Sequence, residues 1–154
     1  MSVRLEVSTK TDAAVVAVWE VLIDWAGQSR WIPLTTVRVM TARDVGVGVR
    51  AEALSGVWLG RVPLGLLDRF IVTGWSPPAN DAAELEIFHL GPYFTGEGAF
   101  RLRRNDGKTT VSCIEVFSLP GGRATESLAR IALPLLRVGL ARSLRGLAAI
   151  AEAQ

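Results

Sequence analysis

The sequence is poor in the residues that build metal sites, disulfides and membrane spans. Its 154 residues include one cysteine, one histidine and one tyrosine. A lone Cys113 excludes an intrachain disulfide, and one Cys with one His cannot form a zinc site, so no metal and no cofactor are expected. Of the 17 basic residues only Lys10 and Lys108 are lysine, and the formal charge is just +2. That arginine bias reads as coding preference rather than as a nucleic-acid-binding surface. The densest basic spot, Arg101-Leu-Arg-Arg104, is better explained as the solvated outer face of a sheet than as a phosphate-binding patch. Long apolar runs are also missing. Ala132–Leu136 and Leu147–Ala151 fall far short of the ~20 residues needed to span a bilayer, which excludes stable membrane insertion. Met1-Ser-Val-Arg-Leu-Glu6 has no apolar core, so a signal peptide is not expected and a cytoplasmic location is. What is abundant is apolar: 49% of residues are hydrophobic and 21% charged, with mean hydropathy +0.31, which excludes intrinsic disorder. With no internal repeat and no linker, residues 1–154 are expected to form one domain.

Apolar periodicity sets the element order. Val3–Thr9 alternates as a half-buried strand. Thr11 or Asp12 is a suitable N-cap for a helix over Ala13–Asp24, in which Val15, Val18, Trp19, Leu22 and Ile23 recur at helical spacing. A second short helix over Trp25–Pro33 follows. From Thr35 to Leu119 the pattern is strand and turn, with strands at Val37–Thr41, Val47–Leu59, Leu66–Trp75, Glu84–Leu90, Gly96–Arg104 and Thr109–Ser118. Turns are marked at Ser76–Asp81 and Asn105–Gly107. Beyond Pro120-Gly-Gly122 a long helix presents Leu128, Ile131, Leu135, Leu136, Leu140, Leu144, Leu147 and Ile150 as one apolar face, opposite Arg130, Arg137 and Arg145. Pro134 must kink that helix or stand in the first turn of its longer part. The fold class is therefore α+β. A curved antiparallel sheet of about seven strands wraps a long C-terminal helix, and two short helices follow strand 1. This is a helix-grip architecture.

Several segments carry a resemblance. They are Val18-Trp19 through Asp24-Trp25, Trp31-Ile-Pro33, and Leu67–Thr73 running into Trp75-Ser-Pro-Pro78. Further on they are His89-Leu-Gly-Pro92, Gly96-Glu-Gly-Ala-Phe100, Cys113-Ile-Glu115 with Leu119-Pro120, and Ser143-Leu-Arg145. Together the chain resembles the superfamily of START-type lipid-transfer domains and polyketide cyclases/dehydrases (SRPBCC), and within it the small bacterial single-domain members. The resemblance implies an internal cavity between sheet and helix that takes a hydrophobic ligand, with no single activity common to the family. Relatives often carry an aromatic residue at the position of Cys113, so the smaller side chain implies a larger or reshaped cavity.

Strand parity selects the cavity wall. With Glu84 and Glu86 outward, Leu85, Ile87 and His89 face the concave side. By the same rule Asp68, Phe70 and Val72 point inward on their strand, Gly98 and Phe100 on theirs, and Cys113, Glu115 and Phe117 on the last. Trp25 and Trp31 either line the mouth or pack in the core, Leu136 and Leu140 close the cavity from the helix, Trp75 covers the outer face, and Trp58 is unassigned. Cys113 on an apolar strand reads as a small buried hydrophobe rather than a nucleophile. Closing the two turns in register makes Asp68 and His89 cross-strand neighbours and sets Gly98 opposite Glu115. Asp68, His89 and Glu115 then form a polar end on an apolar wall: a ligand-orienting site, a structural ion-pair cluster, or an acid–base centre. The leading function is carriage or sequestration of a hydrophobic or amphipathic small molecule such as a lipid or polyketide. The alternative is a polyketide aromatase/cyclase-type enzyme using His89 as general acid/base.

Overall fold

The structure, a computed structural model, describes residues 2–59 and 62–154. The side chains of Trp58, Leu128 and Arg130 lie outside what it describes. Strand β1 (Ser2–Thr11) leads into helix α1 (Val15–Ile23) and a 3₁₀ turn (Ala26–Arg30). Strands β2 (Thr35–Val39), β3 (Arg50–Leu59), β4 (Val62–Ala79), β5 (Ala82–Pro92), β6 (Thr95–Asn105) and β7 (Lys108–Ser118) follow, and helix α2 (Gly122–Glu152) ends the fold. All seven strands make one antiparallel sheet in the order β1-β7-β6-β5-β4-β3-β2. The expected α+β helix-grip architecture is what forms.

The core sits between the concave sheet, α1 and the C-terminal half of α2. Val18, Leu22, Leu85, Leu102, Val111, Leu144 and Leu147 are fully or almost fully buried there. On the convex face Glu84 accepts from Arg101 Nε at 2.6 Å and Glu52 from Arg69 Nε at 2.9 Å, which fixes the parity that turns their neighbours inward.

Three local expectations need correction here. Neither Thr11 nor Asp12 caps α1: the helix begins two residues further on, with Ala14 at the N-cap. Thr11 instead accepts from the Ala13 amide and donates to Glu152 Oε1 at 2.6 Å, tying the end of α2 to the end of β1. The turn between β4 and β5 is shorter than Ser76–Asp81, because Ala79 pairs with Ala82 around Asn80-Asp81, both at positive φ. Register shifts between Val72 and Gly74 and between Ser76 and Ala79 then change the parity of β4. Trp75 therefore turns inward rather than outward and packs edge-on against Trp19, with ring centroids 5.1 Å apart. The turn Asn105–Lys108 closes as expected, on Asp106 and Gly107 at positive φ.

Pro134 lies within α2, and the helix is continuous across it, so the first-turn alternative fails. Lacking an N–H, Pro134 leaves the Arg130 carbonyl without its helical partner. Ile131 and Leu135 also depart from expectation: they are 74% and 75% exposed, pointing away from the sheet, while the packed arc runs through Leu144, Leu147 and Ala151.

Candidate functional site

Between the N-terminal half of α2 and the concave sheet the side chains do not meet, and two chambers result. The outer one, about 660 Å3, is bounded by Leu5, Leu66, Phe117, Leu119, Leu136 and Leu140, with Tyr93 and Phe94 from the β5–β6 connection. The inner one, about 220 Å3, is walled by Trp25, Trp31, Phe70, Ile87, Phe94 and Phe100. Leu66, His89, Phe94, Glu115 and Leu140 belong to both, so the two chambers meet at the ionisable residues. A further depression of about 420 Å3 lies on the convex face among Arg4, Glu86, Glu97 and Arg101, whose charges belong to a solvated surface.

Asp68, His89 and Glu115 do come together. His89 Nδ1 lies 2.8 Å from Asp68 Oδ2, and Nε2 lies 3.0 Å from Glu115 Oε2. The route is not wholly the expected one. Gly98 does face Glu115, but the irregularities of β4 pair His89 with Phe70 and Asp68 with Pro92. Asp68 reaches the imidazole diagonally instead of from directly across. Gly98 explains why Glu115 can reach across β6: a Cβ built there would stand 2.8 Å from Glu115 Oε2 and 3.0 Å from Ile87 Cγ1.

Burial alone would pull the His89 pKa down. The hydrogen bonds to Asp68 and Glu115, with their charges, more than reverse this and lift it from 6.5 to about 9. At neutral pH the ring is an imidazolium donating both N–H groups to carboxylates. Phe94 leans on it with ring centroids 4.9 Å apart and stacks in turn on Phe117 at 5.8 Å.

Of the expected wall, Asp68, Phe70, Ile87, His89, Phe100, Glu115, Phe117, Trp25, Trp31, Leu136 and Leu140 border one chamber or both. Val72, Gly98 and Cys113 do not; they are buried in the packed layer. Cys113 thus enlarges neither chamber. Its thiol is pushed well above the usual range by burial and by Glu115, so the thiolate a nucleophile requires is suppressed. The tryptophans divide: Trp25 Nε1 donates to the Asp44 carbonyl at 2.6 Å, whereas the buried Trp31 Nε1 has no partner. The one other buried side-chain polar atom lacking a partner among the described residues is Asp68 Oδ1. Parity did not point to Phe94, because it stands in a connection rather than on a strand. It also missed Gln28, which borders the inner chamber while its Nε2 donates to the Leu22 carbonyl at 3.0 Å.

No family model matches the chain, and no curated protein matches it. Solved structures do. A protein of Thermus thermophilus superposes with a TM-score of 0.74 at 15% identity, covering 98% of each chain. The Zhui aromatase/cyclase of Streptomyces sp. R1128 gives 0.70 at 16% identity over 99% of this chain and 94% of that one. The chain shares the aromatase/cyclase fold. A di-domain aromatase/cyclase, StfQ of the steffimycin biosynthetic pathway, gives 0.73 at 12% identity over 99% of this chain and 51% of that one. At such identities the likeness is one of fold, and it agrees with the resemblance to the SRPBCC and polyketide cyclase-like group. No helix among the described residues is long and apolar enough to cross a membrane.

Proposed function

We propose that the protein binds a hydrophobic or amphipathic small molecule, lipid-like or polyketide-like, and carries or sequesters it. The observation that supports this best is the outer chamber of about 660 Å3, apolar on nearly all sides and closed at its inner end by His89 and Glu115. Burying a ligand's apolar surface there contributes ~25 cal/mol per Å2, and the few polar groups orient it.

A second reading is an aromatase/cyclase-type enzyme with His89 as general acid/base, favoured by the names of two fold neighbours. The state of His89 weighs against it. A group with a pKa of about 9 is protonated at neutral pH and is a poor general base. Both of its N–H groups are already directed at carboxylates rather than at the space where a substrate would sit.

Titration of the folded protein with Nile red, a neutral apolar fluorophore, tests the binding reading. Saturable one-to-one binding that weakens in Leu140→Trp, which fills the shared boundary, is the expected result. Absence of saturable binding to the folded wild type would overturn it. Cyclisation of a poly-β-ketone chain that is lost in His89→Ala would favour the enzyme instead.

A further inference from the structure

The outward face of α2 carries a pattern of its own, separate from the one that meets the sheet. Ile131, Leu135, Val138, Arg142 and Arg145 recur at alternating steps of four and three residues, which keeps them on one stripe about 21 Å long. All five are exposed. The first two turns of the stripe are apolar, with Ile131, Leu135 and Val138 at 74%, 75% and 65% exposure. The next two turns are cationic. Between Glu126 and Glu152 the helix has arginine at 130, 137, 142 and 145 and no acidic residue.

The cationic end of the stripe opens on a depression of about 390 Å3, where Arg142 and Arg145 meet Ser29, Arg30 and Trp31. Arg30 is held by Asp24 at 2.8 Å. Arg142 and Arg145 have no ion-pair partner among the described residues, and no carboxylate among those residues borders the depression.

The two parts of the stripe ask for different chemistry. An exposed isoleucine, leucine and valine in line gain only from an apolar partner. Guanidinium groups around an open depression gain from an anion, and their planar fork suits phosphate oxygens. A bilayer of anionic phospholipid offers both, ordered by depth. With α2 slanted on its surface, the apolar turns enter the headgroup and acyl boundary by about 5–10 Å while the arginines stay at phosphate level.

We infer that the outward stripe of α2 is a peripheral docking surface for an anionic phospholipid bilayer. The helix rests on the bilayer without crossing it. This goes beyond the binding reading and does not depend on it. Leu136, which follows Leu135, borders the outer chamber, so a bilayer seated on this face lies about one helix diameter, ~10 Å, from that space.

Co-sedimentation with vesicles tests the docking, using phosphatidylcholine alone and phosphatidylcholine mixed with phosphatidylglycerol. The wild-type protein should bind the mixed vesicles, bind them less at high salt, and leave the phosphatidylcholine vesicles unbound. Leu135→Ser, and separately Arg142→Gln with Arg145→Gln, should each weaken binding at least about tenfold. All three side chains are exposed, so urea midpoints should stay close to wild type. Absence of wild-type binding to the mixed vesicles would overturn the inference. So would binding lost in the arginine variant but intact in Leu135→Ser, which would leave an anion site alone. A dimer that Leu135→Ser dissociates, with no vesicle binding, would show that a second copy covers the stripe and would overturn it equally.

Discussion

The two halves of α2 have similar apolar composition and opposite surroundings. From Leu144 to Ala151 the helix packs tightly: Leu144 and Leu147 are fully buried, and Glu152 accepts from Thr11 and from the Asp12 amide. From Ile131 to Leu140 its inward side chains border a chamber, and on the outward side Ile131, Leu135 and Val138 are exposed. An apolar stripe read from sequence therefore identifies what faces the interior only where something stands opposite to meet it. Here the sheet does so under the second half and stands off from the first, and the gap is the binding space.

Substitutions at equivalent places along the helix should show this contrast most strongly. Leu147→Ala should cost about 2–5 kcal/mol, the range for a leucine deleted from a packed core. Leu136→Ala, at the chamber rim, should cost about 0.5 kcal/mol or less while weakening Nile red uptake. Urea midpoints of the two variants measure the difference, and equal losses would erase the distinction between the halves. Pro134→Ala comes next. It restores the hydrogen bond to the Arg130 carbonyl in an exposed, continuous stretch of helix and should raise stability by up to about 3 kcal/mol. A loss of stability would mean that Pro134 shapes the open half in a way its helical geometry does not reveal.

The chamber end should also be the pH-sensitive end. Because folding raises the His89 pKa from 6.5 to about 9, the native state holds that proton more tightly than the unfolded chain. The resulting stabilisation is fully present below pH 6.5 and is lost as pH rises towards about 9. Urea midpoints between pH 6 and pH 10 should decline across that window, and Asp68→Asn should flatten the decline. The smallest effect is expected from Gly98→Ala. The added methyl group presses on the Glu115 carboxylate and on Ile87 Cγ1, so the His89 pKa, followed by NMR, should drop, with a small matching loss of stability at neutral pH.

Much of this was legible in the sequence because strand parity is a strict rule. Once Glu84, Glu86, Arg101 and Arg103 are assigned outward, His89, Gly98 and Glu115 follow, and the Asn105–Gly107 turn sets the β6–β7 register without error. The β4–β5 register was not legible. Its shifts arise where extra residues bulge out of β4, and no local residue pattern announces how many do so. Trp75 was misplaced for the same reason. Phe94 has no parity to read, and the unmatched hydrogen-bonding groups of Trp31 and Asp68 emerge only when the three-dimensional neighbourhood of each is known.

The Asp68–His89–Glu115 cluster also bears on how reliably the sheet assembles. Its members sit on β4, β5 and β7, with β6 threaded between the last two. A slip of one residue in β5 would swing His89 to the convex face and abandon two carboxylates in an apolar interior, a far costlier error than a misplaced methyl group. The same three side chains therefore proofread strand alignment across the middle of the sheet. A chain that reaches its native pairing has passed an electrostatic check before any ligand arrives.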